Sequence, residues 1–264
     1  MALAGSAAVL DRLSVLEEDG DGRAAAAAEA VRIRRRQYAY LRGVGAFVVG
    51  LAGLTAKRFG MLPRQGPAIL APNHTSWRDV PAIAAACRRP VRFAASPHLY
   101  DTDSCICMLR RAAGKMGGGR ASARLLGLFE RELAGFLRRR TIECGAFPAA
   151  LDRGFIRALA SAAGRGDLVC IFPEGLLSPG GGLNRLRRGL AMGAAAVHRR
   201  LGYDVPVFPV AVSQGSGLPL LGRELTVEVG DPLFYSEVSG GLDLSGGTRR
   251  FTERVGREIA RLLD

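Results

Sequence analysis

The chain has 264 residues, of which 48% are hydrophobic and 23% are charged, and this balance excludes a disordered protein. A formal net charge of +13 favours anionic partners such as phosphate-bearing ligands, nucleic acid or an acidic membrane surface. Aromatic residues make up only 6%, and neither a zinc module nor a helix-turn-helix pattern is present, so we expect no nucleic-acid partner. The histidines and cysteines lack metal-ligand spacing, so we expect no metal site.

Residues 1–60 predict a polar N-terminus followed by a helical membrane-docking segment. The stretch 24–42 mixes helix-forming alanines with arginines, and the uncharged stretch 43–56 follows it directly. As a helix, the uncharged stretch would be about 21 Å long, shorter than the roughly 30 Å hydrocarbon core of a bilayer. A basic stretch beside an apolar one is typical of a helix lying on a membrane surface; the alternative is a helix hairpin packed on the core. We expect a peripheral or monotopic protein at the cytoplasmic face of the cell membrane.

From residue 61 onward the pattern alternates between strands and helices. Short apolar runs bounded by turn residues predict strands at 67–72, 91–96, 145–147, 167–172, 205–212 and 225–230. Longer periodic stretches predict helices at 80–87, 121–140, 155–166, 183–202 and 251–263. The prediction is an α/β domain over 61–264 with a mixed, largely parallel sheet flanked by helices. The two prolines of 205–212 favour an edge or bulged strand, and 97–119 has no recognisable pattern.

The stretch PNHTSWRDVP, residues 72–81, follows the first buried strand and leads into a helix. It contains His74 at the carboxyl end of a strand, where ligands bind in open α/β sheets. Asp79 lies five residues later and has two interpretations. It is either the N3 residue of a helix capped by Ser76, or the carboxylate that orients the imidazole of His74. The second interpretation requires His74 to lie off the helix, because residues five apart do not share a helix face.

Further blocks follow the later strands. FPEG, residues 172–175, ends a strong apolar strand, and its glycine permits a tight turn. Together with NHTSWRD at 73–79, the strand at 206–210 and the Arg-Gly step at 188–189, it resembles the PlsC-like glycerolipid acyltransferase superfamily. These are the 1-acyl-glycerol-3-phosphate and lysophospholipid acyltransferases, and NHTSWRD matches their NHxSxxD motif in full. The resemblance extends over residues 65–232.

The resemblance implies acyl transfer from a thioester to a hydroxyl, with His74 as general base and Asp79 holding its other ring nitrogen. It implies acyl-CoA or acyl carrier protein as co-substrate, no further cofactor, and an anionic membrane surface as partner. The favoured acceptor is the lysophospholipid 1-acyl-glycerol-3-phosphate. The alternatives are glycerol 3-phosphate, another lysophospholipid, or a non-catalytic lipid-binding relative. The residues expected to bind substrate are Asn73, Ser76, Arg153, Phe172, Pro173, Glu174, Gly175 and Arg188.

Two departures from the superfamily's pattern concern the acceptor. The superfamily continues FPEG with Thr-Arg-Ser, whose arginine is associated with the acceptor phosphate, whereas this chain has Leu177 in the place of that arginine. The stretch from Gly145 to Arg153 is also longer than the corresponding motif, which shifts the register of Arg153. Guanidinium groups suit phosphate oxygens, so the arginines at the start of the predicted helix 183–202 are candidates for the missing charge; the alternative is that they are solvated. These arginines are Arg185, Arg187 and Arg188.

Overall fold

The computed structural model describes residues 56–59, 62–76, 78–115, 120–143, 145–149, 152–178, 182–214 and 225–264. Most of the docking segment predicted over 1–60 lies outside these residues and stays a prediction. The described residues of this segment are Ala56–Phe59, and they form a strand that pairs with the sheet. The sheet therefore begins before the predicted domain boundary at residue 61.

Seven strands in the described part of the chain form one sheet. They are β1 Ala56–Phe59, β2 Ala68–Pro72, β3 Val91–Ala95, β4 Phe147–Pro148, β5 Leu168–Cys170, β6 Val207–Gln214 and β7 Leu225–Val229. Their order is β1-β7-β6-β2-β5-β3-β4. The β6–β7 pair is antiparallel, and the other neighbouring pairs are parallel. The predicted mixed, largely parallel sheet is confirmed.

Helices cover this sheet and add a hairpin beside it. They are α1 Asp79–Ala86, α2 Thr102–Lys115, α3 Arg120–Glu143, α4 Arg153–Gly164, α5 Gly189–Leu201, α6 Tyr235–Ser239 and α7 Leu244–Leu263. The region 97–115, without a recognisable pattern in the sequence, forms a 3-10 turn and α2, and α2 packs against α3. Arg110 and Glu130 join these two helices through bonds of 2.5 and 2.8 Å. Within the described ranges, no helix is long and apolar enough to span a membrane.

Strand β2 lies in the interior of the sheet, and both of its faces are buried. Ile69 and Ala71 face a core that includes α4, α5 and α7, whereas Ala68 and Leu70 face a second core that includes α1. Successive side chains of a strand point to opposite faces, so β2 needs the unbroken apolar run that the sequence provides. The carboxyl end of β2 is thereby fixed between two packed layers, and His74 follows it closely.

Strand β6 is an interior strand, so the prediction of an edge position from its prolines was wrong. Pro209 has no N–H to donate, but the sheet has a gap at that point. The regular pairing of β6 with β7 ends at Val210 and Val229, and the chain returns to β6 only at Leu233. The carbonyl oxygen of Pro209 still accepts a bond of 2.9 Å from the N–H of Gly230. An interior proline costs no hydrogen bond where the neighbouring strand has already turned away.

Helix α5 begins later than predicted, because the segment 183–188 has helical periodicity but an irregular backbone. Two of its N–H groups bind the FPEG turn instead of helical carbonyls. The N–H of Asn184 donates to a carboxylate oxygen of Glu174 at 2.8 Å. The N–H of Arg187 donates to the carbonyl oxygen of Pro173, also at 2.8 Å. Tertiary hydrogen bonds to the turn have therefore replaced local helical ones.

The closing helix, α7, begins before its predicted start at residue 251. The side chain of Asp243 accepts a hydrogen bond from the N–H of Gly246 at 2.9 Å and caps the helix. Phe251, Val255 and Ile259 lie on its buried face. The prediction of a closing amphipathic helix is confirmed, with an additional N-terminal part that the apolar spacing did not indicate.

The close packing of α4 against α5 predicts a cost for any side chain at Gly193. A Cβ atom at that position would lie 2.5 Å from Cδ2 of the fully buried Leu159. We expect Gly193→Val to lower the free energy of unfolding by about 2 kcal/mol or more, because an overpacked core forces its neighbours to shift. Urea unfolding measures this change. In the matched control, Gly135→Val on α3, the added Cβ meets no atom within 4 Å, and equal effects of the two substitutions would contradict the packing argument.

Candidate active site

His74 lies in the turn between β2 and α1, off the helix. Its Nδ1 atom is 3.0 Å from Oδ2 of Asp79. The side chain of His74 is 19% exposed, whereas that of Asp79 is completely buried. The imidazole is therefore open to a ligand from one side, and the carboxylate behind it is not.

Asp79 orients the imidazole and also accepts hydrogen bonds from its own turn, whereas the helix cap predicted at Ser76 is not formed. The Oδ2 atom of Asp79 accepts hydrogen bonds from the backbone N–H groups of Thr75 at 2.7 Å and Ser76 at 2.8 Å. Ser76 is not the N-cap, because the helix starts at Asp79 itself. The Ser76 hydroxyl instead accepts a bond from the N–H of Arg78 at 3.2 Å. This local network holds the carboxylate that faces the imidazole.

The backbone and the ring of His74 are both fixed by the segment that follows β5. The N–H of His74 donates to Oε1 of Glu174 at 2.7 Å, and its carbonyl oxygen accepts from the N–H of Ser178, also at 2.7 Å. The ring of Phe172 stacks on the imidazole, with centroids 3.9 Å apart and planes inclined by 25°. With Nδ1 facing a carboxylate, which accepts hydrogen bonds, the network assigns the proton to Nδ1 and leaves the lone pair of Nε2 free.

Glu174 is a buried positioning residue rather than an exposed turn carboxylate. Only 2% of it is exposed. Its Oε1 atom accepts the N–H of His74, and its Oε2 atom accepts the N–H of Asn184. Sequence reasoning missed Asn184, because a backbone donor gives no signal in the side-chain pattern. Glu174 therefore connects the turn after β2 to the segment before α5, and direct contact of Glu174 with substrate stays a prediction.

Gly175 is required at the FPEG turn for two reasons. Its φ is +67°, a left-handed conformation that side chains disfavour. A Cβ atom there would also lie 3.0 Å from Cδ of Arg187. The tight turn predicted at this glycine is confirmed, and its N–H donates to the carbonyl oxygen of Phe172 at 3.1 Å.

Asn73 lies inside the sheet, and its predicted contact with substrate stays a prediction. It is completely buried. Its amide nitrogen donates to the carbonyl oxygen of Val212 at 3.0 Å, and its amide oxygen accepts the N–H of Val212 at 2.7 Å. Asn73 thus joins β2 to β6 directly before His74. The asparagine of the motif is explained by this pairing between strands.

The remaining predicted residues are placed as follows. Pro173 is buried in the turn, and Arg188 is exposed immediately before α5. Arg153 is the first residue of α4, but its side chain lies outside the described part, so its role stays a prediction. Leu177 lies at the position of the superfamily's arginine and is 50% exposed. Its neighbour Leu176 is 63% exposed.

A buried thiol lies close to the pair but is not a nucleophile. Burial raises the pKa of Cys170 well above its usual range, and the nearby Cys87 and Asp79 raise it further. Cys170 is completely buried at the end of β5. It therefore remains a neutral thiol near pH 7 and packs as a small apolar residue.

The fold and the site together define an enzyme class. An imidazole with a free Nε2, supported by a buried carboxylate at the carboxyl end of an interior strand, is suited to removing a proton from a hydroxyl. A family model described as "Acyltransferase" matches residues 58–213, more than half of the chain. The chain therefore belongs to the acyltransferase family, and the resemblance to PlsC-like glycerolipid acyltransferases is confirmed.

A solved structure has a similar fold. The 1-acyl-sn-glycerophosphate (LPA) acyltransferase PlsC from Thermotoga maritima superposes with a TM-score of 0.56 at 16% sequence identity. The match covers 99% of this chain and 98% of that chain. At this identity the likeness establishes the fold. A search of curated protein sequences finds no match to this chain.

Replacement of Glu174 tests its positioning role. In Glu174→Gln, only one side-chain oxygen remains, and the amide group must face the N–H of either His74 or Asn184. We expect the free energy of unfolding to fall by about 1–3 kcal/mol, because a buried donor loses its partner. Urea unfolding measures the change, and Glu132→Gln on the exposed surface of α3 is the control. Equal stability of the two variants would show that Glu174 does not hold the turn.

Proposed function

We propose that the protein transfers a fatty acyl group from a thioester to the hydroxyl of a lysophospholipid, with 1-acyl-glycerol-3-phosphate as the favoured acceptor. His74 is the general base in this proposal. The observation that carries it is the contact between Nδ1 of His74 and the buried Oδ2 of Asp79, which leaves Nε2 free on a partly exposed ring. Membership of the acyltransferase family supports the hydroxyl of a lipid acceptor as the group to be deprotonated.

The reaction proceeds by direct transfer. Nε2 of His74 takes the hydroxyl proton as the acceptor oxygen attacks the thioester carbonyl carbon. The resulting tetrahedral intermediate collapses, the carbon–sulfur bond breaks, and the leaving thiolate receives that proton from the imidazolium. Asp79 stabilises the imidazolium and keeps the ring in the reactive tautomer, as a carboxylate does in a catalytic triad.

Two classes of donor and several acceptors fit the proposed reaction. Acyl-CoA and acyl carrier protein are both acidic, and both complement a chain with a net charge of +13. Glycerol 3-phosphate and other lysophospholipids are the alternative acceptors. A lipid-binding relative without activity would retain the fold without a need for the pair, and the intact contact between His74 and Asp79 favours catalysis.

Removal of the base tests the proposed reaction. We expect His74→Ala to lower kcat by about 10²–10⁴-fold, the usual contribution of a general base. The measurement uses purified protein in micelles containing anionic lipid, labelled acyl-CoA or acyl carrier protein, and a panel of acceptors. His98→Ala removes an exposed histidine outside the site and serves as the control. If wild type and His74→Ala both bind lipid but acylate no acceptor, the lipid-binding alternative replaces the enzyme.

An exposed face of α3 supports docking on an anionic membrane. Phe129, Leu133 and Phe136 are 59%, 36% and 45% exposed, and their spacing of four and three residues places them along one side of the helix. The guanidinium of Arg140 lies 5.1 Å from the ring centroid of Phe136 on the same side. Apolar side chains together with arginine are typical of helices that rest in the interface of a negatively charged bilayer. We place this face, together with the predicted segment 1–60, against the cytoplasmic side of the cell membrane.

Replacement of the two phenylalanines tests this docking face. Burial of each ring in the bilayer interface contributes on the order of 1.5–3 kcal/mol, so the Phe129→Ser, Phe136→Ser double variant is expected to bind anionic vesicles at least about tenfold more weakly. Vesicle co-sedimentation gives the affinity. Tyr203→Ser removes an aromatic residue of similar exposure (46%) elsewhere on the surface and controls for lost apolar area. Unchanged binding of the double variant would exclude α3 from the docking surface.

A further inference from the structure

A basic cavity adjoins the site. It lies between the segment 183–188 and helix α7, and its volume is about 360 Å³, within the range of pockets that bind small ligands. Three arginines line it, together with one carboxylate and two neutral polar side chains. These residues are Arg185, Arg188, Arg249, Glu253, Asn184 and Thr252.

The three arginines of this cavity outnumber its one carboxylate, Glu253. No carboxylate in the described part of the chain forms an ion pair with Arg185, Arg188 or Arg249. On the same helix, by contrast, Arg254 and Arg261 both pair with Glu258. Three guanidinium groups around one cavity repel each other, and a bound anion with several oxygens would remove that repulsion.

The wall of the cavity is connected to the backbone of His74 through hydrogen bonds. The N–H of Asn184, a lining residue, donates to one oxygen of Glu174, and the other oxygen of Glu174 accepts the N–H of His74. The carboxylate of Glu174 therefore lies between the backbone of His74 and the cavity wall. Arg188 directly precedes α5, whose N-terminal dipole adds to the attraction for an anion.

The arginines of this cavity can supply the positive charge that is missing at Leu177. That side chain is half exposed beside the FPEG turn and offers no charge to a phosphate. Arg185 and Arg188 lie a few residues further along the same connection. Arg249 belongs to α7, which lies beyond residues 58–213 that match the family model.

We propose that Arg185, Arg188 and Arg249 form a binding site for the phosphomonoester group of a substrate. The inference rests on the proposed acyl transfer, because the phosphate belongs either to the acceptor headgroup or to the nucleotide part of acyl-CoA. Glu253 opposes binding of the anion and limits its affinity. The C-terminal helix thereby takes part in substrate selection.

Binding measured with one probe at a time tests the site without turnover. Isothermal titration uses glycerol 3-phosphate for the acceptor headgroup, adenosine 3′,5′-bisphosphate for the donor, and inorganic phosphate for the shared group. We expect Arg249→Ala to weaken binding of phosphate and of one organic probe by about tenfold, as loss of a charge-assisted hydrogen bond does. We expect Glu253→Gln to strengthen the binding of phosphate. Arg257→Ala, an exposed residue of the same helix outside the cavity, should bind like wild type.

The organic probe affected identifies the source of the phosphate. Weaker glycerol 3-phosphate binding assigns the site to the acceptor, and weaker adenosine bisphosphate binding assigns it to the donor. If Arg185→Ala and Arg249→Ala bind all three probes like wild type, the inference is wrong, even when the wild-type enzyme acylates an acceptor. If the variants lose binding and no acceptor is acylated, the site stands and the proposed reaction fails.

Discussion

The carboxylate of Asp79 is completely buried, and its Oδ2 atom faces three donors from its own turn: Nδ1 of His74 and the N–H groups of Thr75 and Ser76. A charge removed from water is costly unless hydrogen bonds satisfy it. The turn must therefore remain closed around this oxygen, and closure places the imidazole off the helix with one nitrogen engaged. Stability of the turn and orientation of the imidazole therefore have a common physical origin.

The second constraint is that two loops from different strands must meet. Glu174 accepts N–H groups from His74 and Asn184, and Asn73 pairs with both backbone groups of Val212. These bonds join the turn after β2 to the FPEG turn and to β6. The parallel sheet brings the carboxyl ends of β2 and β5 side by side, and buried polar side chains then fix the distance between them. Rigid placement of this kind is what a general base requires.

The sequence predicted the sheet class and most strands, because apolar periodicity reports local structure directly. The contact of His74 with Asp79 was one of two interpretations of the residues, and the resemblance to the superfamily favoured it. Of the two alternatives for β6, an edge or a bulged strand, the edge position was wrong, because the gap that accommodates its proline depends on distant residues. The sequence pattern extended α5 into 183–188, because periodicity does not reveal N–H groups that bind another turn. The pairing of Asn73 with Val212 gave no signal for the same reason: the two residues lie 139 positions apart.

The tautomer of His74 is the most direct test of this account. Long-range proton–nitrogen NMR of ¹⁵N-labelled protein distinguishes protonated from unprotonated ring nitrogens, and loss of signals in His74→Gln assigns them. In the pH range in which the ring is neutral, we expect a proton on Nδ1 and none on Nε2, with this preference lost in Asp79→Asn. A proton found on Nε2 in the wild-type protein would contradict the account, because that nitrogen would have no lone pair to accept the hydroxyl proton.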